Sequence, residues 1–295
     1  MKTIAFFNNK GGVGTTSLVY HLSWMFADLG VPVLAADLDP QASLTTMFLD
    51  HDRLESLWPD DDEHPATIYG AIRPILRGAG DIAAPPVEWI TKDLGLLPGD
   101  LGLSLFEAAL SRPPNVAFAP LLEEMAKGWA KLVLIDLGPN LGLLNRAALF
   151  ASDHVCLPLG PDLYSRQALK TLGAALTHWR GSDGLAFAPC GYVVMGNYPL
   201  LNQLASAYRT HILNESSPEP SPNVAGDPNC LAQLKHYRSL MPLAMEAHKP
   251  MFELKPADGA IGAHFEAVRQ CRADFLRLAT AIAASVGLPM PSSAL

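Results

Sequence analysis

Basic residues are scarce in this chain and cysteines scarcer: 21 lysines and arginines stand against 29 aspartates and glutamates, with four cysteines in 295 residues. A formal net charge of −8 argues against a surface coated with cations for nucleic acid, although a local basic patch can sit inside an acidic total. DNA is therefore a possible partner that the charge does not indicate. Cys156, Cys190, Cys230 and Cys271 lie far apart without a CxxC pair, which excludes the usual zinc and bridging iron–sulfur patterns. They read as buried thiols of a reducing, cytoplasmic compartment. Long apolar runs are missing too. The stretch Ile4 to Phe7 is broken by Asn8, Asn9 and Lys10, too soon for a signal peptide or a membrane span. No internal repeat is present, and no membrane partner is expected.

What the chain does have is apolar residues, 49% of the total, enough for a sizeable core. They fall in short β-rich runs: Thr3 to Asn8, Pro32 to Asp37, Leu94 to Pro98, Leu132 to Asp136, His154 to Pro158 and Tyr192 to Met195. Helical stretches separate them. That alternation predicts parallel strands with crossover helices, a doubly wound, mostly parallel α/β sheet covered on both faces. Ligands in such sheets bind beyond the carboxyl ends of the strands, where Asn8, Asp37 and Asp136 arrive. A single domain over residues 1–288 is expected, with residues 289–295 as a tail.

Two segments break the alternation. Asp50 to Pro65 is crowded with carboxylates, and Ser216 to Pro228 carries four prolines; both read as surface loops. A long helix is expected from Gly259 to Val286, with Ile261, Phe265, Val268, Phe275, Leu276, Ala279, Ile282 and Val286 on one stripe.

The most informative segment follows the first strand: Lys10-Gly11-Gly12-Val13-Gly14-Thr15-Thr16-Ser17. Glycines let the backbone curl so that successive N–H groups face an anion, and the helix that follows adds its positive end. Strand, loop, helix and hydroxyls in this order describe a triphosphate cradle. The standard loop places lysine directly before the final threonine. Here that place is Thr15, neutral and too short to reach the β- and γ-phosphates. Lys10 remains at the start of the loop, and the Thr16 hydroxyl is placed to ligand magnesium. Asp39 ends a strand near the phosphates and can orient an attacking water, while Asp37 can hold a magnesium-bound water. Asp136 follows four apolar strand residues and suits the metal's surroundings.

These residues resemble the deviant Walker A ATPases of the ParA/MinD type. The family's loop is a lysine at the place of Lys10 followed by Gly-Gly-Val-Gly-Lys-Thr. Asp37-Leu38-Asp39-Pro40-Gln41 is similar to its second-strand motif, and Leu132 to Asp136 with Gly138-Pro139 to its Walker B. Leu97-Pro98-Gly99-Asp100-Leu101 is similar to its central strand and turn. The resemblance implies ATP and Mg2+ as cofactors, bound by Lys10, Gly11, Gly12, Val13, Gly14, Thr15, Thr16, Ser17 and Gly138. Thr16, Asp37 and Asp136 would serve the metal, and Asp39 and Lys10 would be catalytic. It also implies a homodimer in the ATP state, in which Lys10 reaches the nucleotide of the second copy, and a partner protein that reads or stimulates the ATPase. Relatives often contact the base just after the strand Tyr192 to Met195, which makes Asn197 a candidate.

Three functions compete. One is an ATP-dependent dimeric switch that positions DNA or a protein cargo, with hydrolysis weakened by Thr15. The second is a nucleotide-binding pseudo-ATPase acting as a scaffold. A small-molecule kinase is third, disfavoured by Lys10 and the Asp-x-Asp-Pro-Gln run. The segment Leu231 to Pro256 is not accounted for by nucleotide chemistry and reads as a surface for a partner.

Overall fold

The computed structural model describes residues 1–59, 64–77, 82–105, 118–183, 186–196, 201–215 and 227–291. Its centre is an eight-stranded sheet: β1 Lys2–Phe6, β2 Val33–Asp37, β3 Glu88–Thr91, β4 Leu94–Leu97, β5 Leu132–Asp136, β6 His154–Leu159, β7 Ala188–Met195 and β8 Cys230–Leu234. The spatial order is β3-β4-β2-β5-β1-β6-β7-β8. Every pairing is parallel except β3 with β4. The fold is thus the doubly wound α/β sheet that the apolar runs predict.

Strands buried on both faces explain why those runs read as continuous. In β1, Ala5 packs into one core layer while Ile4 and Phe6 pack into the other. The first layer holds α4 Ile68–Leu76, α5 Phe118–Ala126, α6 Leu143–Phe150, α7 Leu163–Asp183 and α8 Leu201–His211. The second holds α1 Thr15–Asp28, α2 Ser43–Phe48, α9 Met241–Ala247 and α10 Ala263–Val286.

Several expectations need correction. The acidic stretch is not a plain loop: α3 occupies His51–Leu57, capped by the Asp50 side chain, which accepts from the Arg53 N–H. Leu57 is buried, so a short apolar stripe outweighs the surrounding charge. Residues 60–63 of that stretch and residues 216–226 of the proline-rich one lie outside the described residues. The long helix begins at Ala263, behind glycines with positive φ at 259 and 262. Its buried face starts at Val268, whereas Ile261 and Phe265 are exposed. At the end of the chain Leu288 is buried and Met290, partly buried, packs on the core. Much of the segment Leu231 to Pro256 is structural: it supplies β8, and Leu234, Leu240, Met251, Phe252 and Leu254 are buried. No described helix is long and apolar enough to cross a membrane.

Candidate functional site

Three neighbouring strands in the middle of the sheet end together. Phe6 of β1 and Asp37 of β2 both stand in register with Asp136 of β5. Beyond this edge lies a cleft of about 540 Å³, lined by Asn8, the turn from Lys10 to Ser17, Asp39, Leu137, Pro139 and Met245 among others. The glycines give the turn its shape: Gly12 and Gly14 adopt φ of 74° and 90°, values that other residues rarely take. A side chain at 14 would also press within 3.1 Å of the Met195 methyl. The first backbone bond of α1 runs from the Leu18 N–H to the Gly14 carbonyl at 3.0 Å. Among the described residues no acceptor takes the N–H groups of Gly11 through Ser17. A run of free donors at a helix start fits an anion such as a phosphate chain.

Asn8 anchors the entry to this turn. Its side-chain amide donates to the Pro158 carbonyl on β6 at 2.5 Å, and its Oδ1 accepts from the Lys10 N–H at 2.9 Å. The Lys10 ammonium pairs with Asp162, just ahead of α7, and stands 5.9 Å from the Tyr164 ring centre. Partial burial would raise Asp162, but the Lys10 ammonium and the Ser165 N–H outweigh it and hold its carboxyl below the usual range. Among the residues that line the cleft, Lys10 and Asp39 are the two that carry full charge.

The three carboxylates differ. Asp39 lines the cleft; its Oδ1 accepts from the Gln41 N–H at 2.9 Å. Asp37 is fully buried and does not line it. Thr45 of α2 donates its N–H at 2.8 Å and its hydroxyl at 2.7 Å to Asp37 Oδ2, and that hydroxyl accepts from the Gly99 N–H at 2.8 Å. Asp37 thereby ties β2, α2 and the end of β4 together. Burial pushes its pKa up to about 7, against the Thr45 bonds and helped by the negative Asp39. Asp136 is also fully buried, yet neither of its oxygens completes a hydrogen bond among the described residues. Burial first, and the neighbouring Asp37 second, raise its pKa well above the carboxylate range; the nearby Thr16 hydroxyl opposes this without closing a bond. A buried carboxylate with two empty acceptors beside a hydroxyl fits a hydrated divalent cation, with Thr16 and Asp136 as the residues to hold it.

The far wall is the turn after β5. Pro139 lines the cleft opposite the turn and would lie 3.5 Å from a Cβ added at Gly11, and a Cβ at Gly138 would come within 3.1 Å of Asp39 Oδ1. A side chain there would crowd that carboxylate by a few tenths of an ångström. Of the residues expected at the site, Lys10 through Ser17 and Asp39 line one cleft, Gly138 stands between its lining residues Leu137 and Pro139, and Asp37 and Asp136 are buried at the strand ends behind it. Asn197 lies outside the described residues. Sequence reasoning missed Thr45, Asp162 and Asn145, because isolated polar residues in helix-forming stretches carry no motif. It also missed His21, which is fully buried on α1. The His21 Nδ1–H donates to the Ser17 carbonyl at 2.7 Å and Nε2 accepts from the Met251 N–H at 3.1 Å. Its ring stacks on Phe275.

A family model described as an AAA domain matches residues 1–181, more than half of the chain. The IncC protein of Escherichia coli is 29% identical over 180 residues, 61% of this chain and 47% of its own length. The chromosome partitioning protein ParA of Caulobacter vibrioides is 29% identical over 185 residues, 62% of this chain and 64% of its own. The chain thus spans about half to two thirds of the length of these curated relatives. Among solved structures, a plasmid partition protein of Borrelia burgdorferi bound to AMPPNP aligns over 97% of this chain and 99% of its own, at a TM-score of 0.66 and 17% identity, a likeness of fold. By the matched domain, by the relatives that share it and by a phosphate turn set against the carboxyl ends of parallel strands, the chain belongs to the AAA domain family, as a P-loop ATPase of the ParA/MinD type.

Proposed function

We propose that this protein is an ATP- and magnesium-dependent dimeric switch that positions a cargo, DNA or a protein complex, with hydrolysis slowed by Thr15. The observation that carries this reading is the turn from Gly11 to Ser17, whose backbone donors are free and whose glycines hold left-handed φ beside a cleft of about 540 Å³. Backbone N–H groups would bind the phosphate chain. Thr16 and Asp136 would hold magnesium, which when bound neutralises phosphate charge. Asp39 has its Oδ1 fixed by Gln41, so its other oxygen is free to orient a water and take its proton. Lys10 would supply the cation that Thr15 lacks, to its own nucleotide or to that of a second copy.

Sedimentation tests this directly. ATP with magnesium should shift the protein from monomer toward dimer, and Lys10→Ala should abolish the shift. A monomer at saturating ATP would refute the switch. A second reading, a nucleotide-holding scaffold without turnover, is favoured by Thr15. Steady phosphate release well above that of Lys10→Ala and Asp39→Ala controls would dismiss it.

A further inference from the structure

The turn that faces Asp39 is held by one side chain. Asn145, in the first turn of α6, is fully buried. Its amide nitrogen donates to the Gly138 carbonyl at 2.6 Å, to the Asn140 carbonyl at 2.7 Å and to Asn140 Oδ1 at 3.2 Å. All three partners are acceptors, so the NH2 end of the amide must point at them. The turn is otherwise closed by two local bonds, Asn140 N–H to the Gly138 carbonyl at 3.0 Å and Gly142 N–H to Asn140 Oδ1 at 2.9 Å. Neither ties it to another element, and Asn145 does. The other end of the same amide, Oδ1, is buried without a hydrogen-bond partner among the described residues. An acceptor left empty in a buried site carries a penalty that a fully matched amide would avoid. In this arrangement the amide's donors are used and its acceptor is not.

We infer that Asn145 is a positioning residue that sets the Gly138–Asn140 turn against the phosphate cleft and so makes the protein distinguish a nucleoside triphosphate from a diphosphate. The inference rests on the nucleotide reading above and names the regulation of that same site. Pro139 lines the phosphate cleft together with Gly11 and Asp39, and a Cβ at Gly138 would meet Asp39, so a movement of this turn changes one wall of that cleft. Asn145 itself does not line the cleft. Its effect passes through the carbonyls it holds, and an amide that has lost its hold gives a wall without a fixed position.

The experiment compares wild type, Asn145→Ala and Asn145→Ser, the last of which retains one donor. Calorimetry with magnesium measures affinity for ADP and for a non-hydrolysable ATP analogue. Hydrogen exchange in nucleotide-free protein reads the amides of Asn140 to Gly142, and thermal melting confirms the fold. Asn145→Ala should lower the ratio of analogue to ADP affinity about tenfold, which corresponds to about 1.4 kcal/mol, within the worth of one or two ordinary hydrogen bonds. ADP affinity should stay within about twofold, exchange in the turn should quicken, and Asn145→Ser should fall between. A folded Asn145→Ala protein whose two affinities fall equally, or not at all, overturns the inference and leaves the nucleotide reading intact. A wild type that binds neither nucleotide overturns both. If Asn145→Ala does not fold, the serine variant carries the same comparison.

Discussion

Replacing Thr15 with lysine should tighten binding of a magnesium–ATP analogue by about tenfold or more. Thr15 is the first residue of α1 and stands directly after Gly14, on the cleft wall. The charges on that wall are one ammonium, Lys10, and one carboxylate, Asp39, and the ammonium is already paired with Asp162. A lysine at 15 would add a second ammonium to the cleft. A hydrogen bond to a charged group contributes roughly 1.5–3 kcal/mol, and each 1.4 kcal/mol is about tenfold in affinity. The cleft is open to solvent, so the lower half of that range applies, and the gain should shrink as salt is raised. In the nucleotide-free protein the same lysine sits at a helix start, where a cation costs about 0.3–1 kcal/mol, so a slightly lower melting point should accompany the tighter binding. Calorimetry with the analogue, with AMP and with a Thr15→Met control separates charge from length. Equal gains for Thr15→Met, or for AMP, would refute the argument, and so would no gain at all.

Two further predictions follow from burial. His21 is held neutral, its pKa lowered by burial from 6.5 to about 4; the unfolded chain takes up a proton below 6.5 and the folded chain does not until near 4, so this histidine's contribution to stability is lost as pH falls through that window. The stability advantage of wild type over His21→Gln, read from urea unfolding, should narrow by about 3 kcal/mol between pH 7 and pH 4, and a constant gap would sink the assignment. Asp37 has the opposite sign: burial raises it to about 7, so near neutrality the nucleotide-free protein holds a proton there about half of the time. A magnesium–nucleotide complex at Thr16 and Asp136 should expel part of that proton, which calorimetry in buffers of different ionisation enthalpy would detect; a binding enthalpy independent of buffer would rule it out.

The central strands were legible because burial on both faces leaves an unbroken apolar run, as in Leu132 to Ile135. The edge strands were not. β3 mixes Glu88 and Thr91 with Trp89 and Ile90 and pairs antiparallel at the margin, while β8 is only partly buried; half-exposed strands of four or five residues look like the loops around them. The phosphate turn was legible for a different reason, since its glycines are required by backbone geometry. Asp37 shows the limit of a motif. Its place at a strand end suggested the metal, and no motif announced that its Oδ2 is engaged by Thr45, a contact made only when α2 folds back over β2. His21 reads in sequence as one more residue of an amphipathic helix, and its partner Met251 lies 230 positions away.

The pairing of Lys10 with Asp162 invites the reading that the protein is locked in an idle state, but its energetics argue otherwise. The two side chains are 29% and 38% exposed, and ion pairs with that much access to water are worth about 0–1 kcal/mol after screening. A polyphosphate offers Lys10 several acceptors of higher charge density than one carboxylate. The pair therefore cannot hold Lys10 back when a triphosphate arrives, whether in the same chain or in a second copy. What it does is keep the ammonium beside the cleft and hydrogen-bonded while no nucleotide is bound. On this view Thr15, and not Asp162, sets how weakly the cleft holds its nucleotide.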